Sequence, residues 1–280
     1  MIEALPEILI EPIVRAALIE DLGRAGDITT DAVIPRQARF DGVIAARQQG
    51  IVAGIEATRL AFRLMDRDIA ITVEKPDGTP VGKGDVVARI AGPARGILSA
   101  ERVALNFACR LSGIATATAR LVAAAKPHKA RIVCTRKTTP GLRVLEKHAV
   151  RAGGGINHRF GLDDAILIKD NHIAVAGGIR PAIERARAAI GHLVKIEIEV
   201  DTLVQLEEVL TLPVDAVLLD NMAPDTLARA VTMVGGRIAT EASGRVSEST
   251  VRDIAASGVD YISSGWITHS APILDLGLDV

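Results

Sequence analysis

The chain has 280 residues, 49% of them hydrophobic and 24% charged, with a formal net charge of −1 and two cysteines. This is the composition of a folded globular protein, long enough for one large or two ordinary domains. The near-neutral balance and six aromatic residues argue against a general polyanion binder and against a base-stacking platform, so no nucleic-acid partner is expected. Two thiols make neither a disulfide framework nor a zinc site, which fits a reducing, cytoplasmic setting. The opening MIEALPEILIEP is acidic and carries Pro6 and Pro12, unlike a signal peptide. No stretch approaches the length of a spanning helix, so no membrane partner is expected.

In chain order, residues 8–20 place Ile10, Ile13, Val14, Ala17 and Leu18 on one helical face. Residues 40–96 read as strands and turns, with turn residues at 76–78 and 82–85 and alternation in VVARI. The Gly78, Gly82, Lys83 set in this stretch is one residue short of phosphate-loop spacing and lacks the following Ser or Thr. Residues 97–126 form a long helical pattern, interrupted near Ser112 and Gly113, that leads into a second domain. From there the pattern changes. Short β-rich runs occur at 131–134, 165–168, 194–200, 214–219, 237–240 and 259–262, and helices are predicted at 202–210, 224–234 and 247–257. Strands alternating with helices at this spacing mean parallel βα units.

Each of these runs exits into polar or charged residues: TRKT, KDNH, the Glu199 and Asp201 pair, DN, EASG and SSG. In a β/α barrel the active site is built at the C-terminal strand ends, so the exits predict one functional rim. Charge is concentrated in the same region. Residues 102–162 hold twelve Lys or Arg and one acid, whereas the other 219 residues carry 21 bases and 33 acids. Arg136 and Lys137, with Thr135 beside them, leave the first strand; His158 and Arg159 follow three glycines; Lys169 leaves the second strand. Arg suits planar, two-bond capture of carboxylate or phosphate, and Lys acts as a point charge. Glu199 and Asp220 end consecutive strands, where carboxylates can bind Mg²⁺, bind sugar hydroxyls, stabilise a cation or pair with a lysine. Ser243-Gly244 and Ser264-Gly265 end the last two strands and suit phosphate seats. The rim therefore predicts a small substrate rich in carboxylates, phosphates or both. A Schiff-base aldolase using Lys169 and a non-catalytic phosphate sensor are the readings from other classes.

Seven strings carry a family resemblance: EDLGRAGDITT (20–30), ERVALNFACRLSGIATAT (101–118), residues 135–172, KIEIEV (195–200), VLLDNM (217–222), EASG (241–244) and GWITHSAPILDLGLD (265–279). Together they resemble quinolinate phosphoribosyltransferase over nearly the whole chain. The resemblance implies an α/β protein with an N-terminal α/β sandwich, residues 1–112 joined by the tail 270–280, and an open, incomplete, seven-stranded α/β barrel over 113–269. It implies that quinolinate and phosphoribosyl pyrophosphate give nicotinate mononucleotide, pyrophosphate and CO₂ in de novo NAD biosynthesis. It also implies a homodimer or higher oligomer with shared active sites.

By motif, Arg136, Arg159 and Lys169 are expected to grip the quinolinate carboxylates, with Thr135 and His158 nearby and Arg102 reaching in from a partner subunit. Lys137 is expected to serve the pyrophosphate, and Glu199 and Asp220 the ribose, making these three the expected catalytic residues. Ser243, Gly244, Ser263, Ser264 and Gly265 are expected to seat the 5′-phosphate. The resemblance implies no resident metal; Mg²⁺ arrives on phosphoribosyl pyrophosphate, near Glu199 and Asp220. Two positions depart from the family pattern. Arg245 stands where a second Gly usually follows EASG and adds a cation beside the phosphate seat, and SSGW puts Trp266 next to the other seat.

Overall fold

The computed structural model describes residues 2–280; Met1, part of the N-terminal stretch read above, lies outside them. The elements begin with α1 (Glu7–Leu22), α2 (Ile28–Val33), β1 (Arg39–Ala46), β2 (Gly50–Ile51), α3 (Ile55–Met65), β3 (Ala70–Val73), β4 (Pro80–Val81) and β5 (Val86–Pro93). They continue with α4 (Ala94–Ala125), β6 (Arg131–Val133), α5 (Arg143–Ala152), β7 (Ile166–Ile168), α6 (Asp170–Ala176), α7 (Ile179–Ala189) and β8 (Ile196–Val200). The last are α8 (Leu203–Val209), β9 (Ala216–Asp220), α9 (Pro224–Val234), β10 (Ala239–Ser243), α10 (Val251–Ala256), β11 (Tyr261–Ser263), α11 (Trp266–His269) and β12 (Leu276–Asp279). No helix among the described residues is long and apolar enough to cross a membrane.

The chain divides into two compact units: one takes residues up to Ala119, Thr138–Gly154 and Ile267–Val280, and the other takes Arg120–Lys137 and Gly155–Trp266. The first unit holds an antiparallel sheet ordered β12-β1-β5-β3. The C-terminal strand closes its edge, with Val43 opposite Asp279 and Ala46 opposite Leu276. Helix α3 lies inside the stretch expected to be strands and turns. Its first amides are satisfied from a distance, because Gly54 and Ile55 N–H both donate to Asp77, and it buries Leu60, Ala61 and Phe62.

Helix α4 is continuous where an interruption was expected. Ser112 Oγ accepts the Ala53 N–H and donates to the Ala53 carbonyl. A Cβ at Gly113 would lie 2.1 Å from the Pro272 carbonyl oxygen. The small pair therefore permits close approach of neighbouring backbone and does not break the helix.

Helix α5 also belongs to the first unit, although the boundary drawn from sequence places it with the barrel. It buries three consecutive ionisable residues, Glu146, Lys147 and His148. Glu146 accepts from Arg110 and from both the N–H and the hydroxyl of Thr139. His148 Nε2 lies 2.8 Å from Asp77. These partners fix the segment within the unit.

The second unit is a parallel sheet ordered β6-β11-β10-β9-β8-β7. Six strands are hydrogen-bonded; the expected seventh is reduced to a single parallel bridge between Val133 and Ile156. Along β8, Ile196, Ile198 and Val200 are buried while Glu197 and Glu199 share the other face. Strand β10 runs through Ser243, so Glu241 to Ser243 are strand residues and do not form the exit expected of EASG. Helix α10 starts at Val251, not at 247, because Ser247 and Thr250 form a hydrogen-bonded turn first.

Candidate active site

All but one of the expected site residues lie in the second unit, at or just beyond the C-terminal ends of its strands. Arg102 is the exception: it is exposed on α4 of the first unit. In the second unit, register sets Asp220 directly beside Ser243, and Ser263 beside Val133, the last residue of β6.

The cations fall into two groups. Lys169 is half-exposed and pairs with Glu199 at 3.1 Å, the ordinary ion pair that its place at the end of β7 allows. Asp170 and His172 cap locally: Asp170 accepts from Asn171 N–H, and His172 Nδ1 accepts from Lys169 N–H. Arg136 and Arg159 differ. The Arg136 Nε is buried with no hydrogen-bond partner. Burial, and then the Arg136 charge, hold the Arg159 guanidinium below its usual range, against the weaker pull of Asp164 and Glu197. Two arginines close enough to repel, one with an orphaned buried donor, form a site arranged for an anion. Arg159 Nη1 also donates to the Ala165 carbonyl, which aims the side chain. Lys137 is exposed, and its N–H donates to Thr135 Oγ1.

The phosphate-type turns are shaped by contact. Asn221 has φ 53° and donates from Nδ2 to Asp220 at 2.6 Å. A Cβ at Gly244 would lie 2.2 Å from Asn221 Oδ1, and Gly244 itself has φ 96°. Only glycine fits there. The next residue, Arg245, has φ 50°, a conformation that favours glycine and costs a side-chain-bearing residue about 1–2 kcal/mol. This gives a physical reason for the Gly that the family pattern usually shows at that position. At the other turn, Ser264 is buried and its hydroxyl lacks a partner, while its N–H donates to the Val133 carbonyl.

His158 turns into the barrel. Its Nδ1 accepts the Arg159 N–H at 2.8 Å, and its Nε2 lies 2.9 Å from Glu197 and 3.6 Å from Glu241. Neither glutamate was singled out from sequence as a site residue. The I-E-I-E-V alternation carried the signal for Glu197, since it puts 197 and 199 on one face. Glu241 was read as a strand exit, which hid its inward direction.

Known proteins agree on what this arrangement belongs to. Residues 27–112 match the family model described as quinolinate phosphoribosyl transferase, N-terminal domain, and residues 114–279 match its C-terminal domain. A probable nicotinate-nucleotide pyrophosphorylase [carboxylating] of Bacillus subtilis (strain 168) is 45% identical over 94% of this chain and 90% of its own. The crystal structure of NadC from Streptococcus pyogenes superposes with a TM-score of 0.96 at 39% identity, covering 99% of this chain and 98% of that one. The nicotinate-nucleotide pyrophosphorylase from Ehrlichia chaffeensis superposes with a TM-score of 0.92 at 42% identity, covering 96% and 97%.

Proposed function

The chain belongs to the quinolinate phosphoribosyltransferase family, and we propose that it joins quinolinate to phosphoribosyl pyrophosphate, giving nicotinate mononucleotide, pyrophosphate and CO₂ for NAD biosynthesis. The observation that carries the substrate assignment is the Arg136 and Arg159 pair, two mutually repelling cations with a buried donor left open. A dianion such as quinolinate relieves both the repulsion and the unsatisfied donor.

Arg136, Arg159 and Lys169 hold the two carboxylates, with Thr135 and His158 beside them. Lys169 exchanges its Glu199 partner for substrate, which frees that carboxylate to face the ribose. Arg102 is exposed, which fits a role in the partner subunit's site within a homodimer or higher oligomer. Lys137 neutralises the leaving pyrophosphate. Ser243, Gly244 and Arg245 with Ser263, Ser264 and Gly265 seat the 5′-phosphate. Mg²⁺ enters as part of the phosphoribosyl pyrophosphate substrate, where it offsets phosphate charge. Two free thiols support a reducing, cytoplasmic setting.

Displacement at C1 of the ribose passes through an oxocarbenium-like state, and the Glu199 and Asp220 carboxylates stabilise that charge electrostatically. Ribosylation leaves the pyridine nitrogen cationic. The adjacent carbon can then lose CO₂, because the electron pair left behind is stabilised by that cation, and a proton completes the product. Incubation of the protein with quinolinate, phosphoribosyl pyrophosphate and Mg²⁺ should release CO₂ and nicotinate mononucleotide in equal amounts. Absence of both products removes the assignment.

A further inference from the structure

Glu197 and Glu241 are two inward-facing acids that the reaction as described does not use. They flank one imidazole nitrogen, at 2.9 and 3.6 Å. The Glu241 side chain is 5% exposed. Among the described residues its ion-pair partner is His158, and its Oε1 has no hydrogen-bond partner. Because Nδ1 of His158 accepts the Arg159 N–H, the ring proton sits on Nε2 and points at the two carboxylates. One ring proton cannot satisfy two ionised acids at this separation, and a second buried negative charge without a cation is costly.

We propose that Glu241 is a positioning residue for the reaction: with Glu197 it grips His158 from inside the barrel through one shared ring proton and, by taking up a proton of its own, limits the negative charge beneath the anion-binding rim. The inference rests on the transferase reading of that rim. The groups around Glu241 are few. Tyr261 and Ser263 face it from β11, Glu197 and Lys195 from β8 and its approach, and His158 and Arg159 from the segment beside β6; its registered β9 neighbour is the apolar Leu218. Most of them line a cavity of about 270 Å³. Burial first, and then the Glu197 charge, push the Glu241 carboxyl up to about 7, while His158 and Ser263 hold it down.

The consequence is a charge that depends on pH. Below that value Glu241 is neutral, and above it Glu241 adds one negative charge beneath a site that must accept a dianion. The added charge should weaken quinolinate binding about threefold to tenfold, on the order of the Coulomb cost of one like charge near a site at intermediate screening.

The test is the KM for quinolinate between pH 6 and 8.5, for the wild type and for Glu241→Gln. The wild-type KM should rise through pH 7, and the variant should lose that rise. Parallel profiles would overturn the proposal. If Glu241→Gln does not fold, Glu197→Gln serves instead: removing the neighbouring charge should move the rise to lower pH, and an unmoved rise would overturn the proposal. Imidazole ¹⁵N shifts, with His158 assigned by comparison with His158→Gln, give a readout independent of turnover. His158 should show the Nε2–H form with a step near pH 7 that disappears in Glu241→Gln. Lack of turnover with that step intact would remove the transferase reading and leave the shared proton standing. Micromolar Zn²⁺ that moves the His158 signals in the wild type but not in Glu241→Gln would replace the shared proton with a metal site.

Discussion

Two sets of part-buried cations come from the same basic stretch of sequence, and they are built differently. In the first unit, Arg110 donates to the wholly buried Glu146 and to the carbonyls of Thr268 and Ala271. Glu146 is further satisfied by Thr139, and His148 Nε2 meets Asp77, although the buried His148 Nδ1 has no hydrogen-bond partner. In the second unit, Arg136 keeps a buried donor open and Arg159 sits against it. The arginines are part-buried in both places; the difference is whether the protein supplies each with an ion-pair partner. A cation held against its own carboxylate is architecture, whereas two cations set against each other wait for an anion.

That contrast can be broken from either side. Arg136→Ala should produce the largest effect. It should cost about 3–4 kcal/mol of transition-state stabilisation, a loss of several hundredfold in kcat/KM dominated by KM for quinolinate, with an unchanged melting temperature. Glu146→Ala should do the reverse. It leaves Arg110 without its carboxylate and should cost about 2–4 kcal/mol of stability, since Arg110 is partly solvated, measured by denaturant unfolding. Equal effects of both substitutions on stability would erase the distinction.

A third prediction concerns pH. Glu241 is raised from 4.5 to about 7, so between these values the folded chain binds more protons than the unfolded chain, and stability falls as pH rises through that window. Glu241→Gln removes this loss and should gain on the order of 1–3 kcal/mol over the wild type at pH 8, with little difference below pH 4.5. The smallest effect is at Arg245. Replacement by Gly should relieve about 1 kcal/mol of backbone strain and raise the KM for phosphoribosyl pyrophosphate severalfold as a phosphate-seat cation is lost. Thermal melts and steady-state kinetics read the two changes separately.

The parallel βα repeat was legible because the strand and helix patterns of 131–262 alternate, and a rim follows from that topology wherever strands end in polar residues. Local propensity could not show that α3 would form inside an apparent β-layer, because the carboxylate that caps it, Asp77, lies more than twenty residues away. Ser112 and Gly113 read as a break because small residues lower helix propensity, whereas here they serve close packing. The site divides the same way. Motif order located the Arg136, Arg159 and Lys169 exits, but the inward turn of His158 onto Glu197 and Glu241 depends on how the sheet curls, which pairs residues 39 and 83 positions apart.

Because nicotinate lacks the second carboxylate, competition between quinolinate and nicotinate probes the open cation pair most directly. With phosphoribosyl pyrophosphate and Mg²⁺ held constant, kcat/KM should favour quinolinate by roughly a hundredfold or more, as expected for loss of one or two charge-assisted hydrogen bonds. Equal use of the two acids would contradict the claim that Arg136 and Arg159 are held open for a dianion.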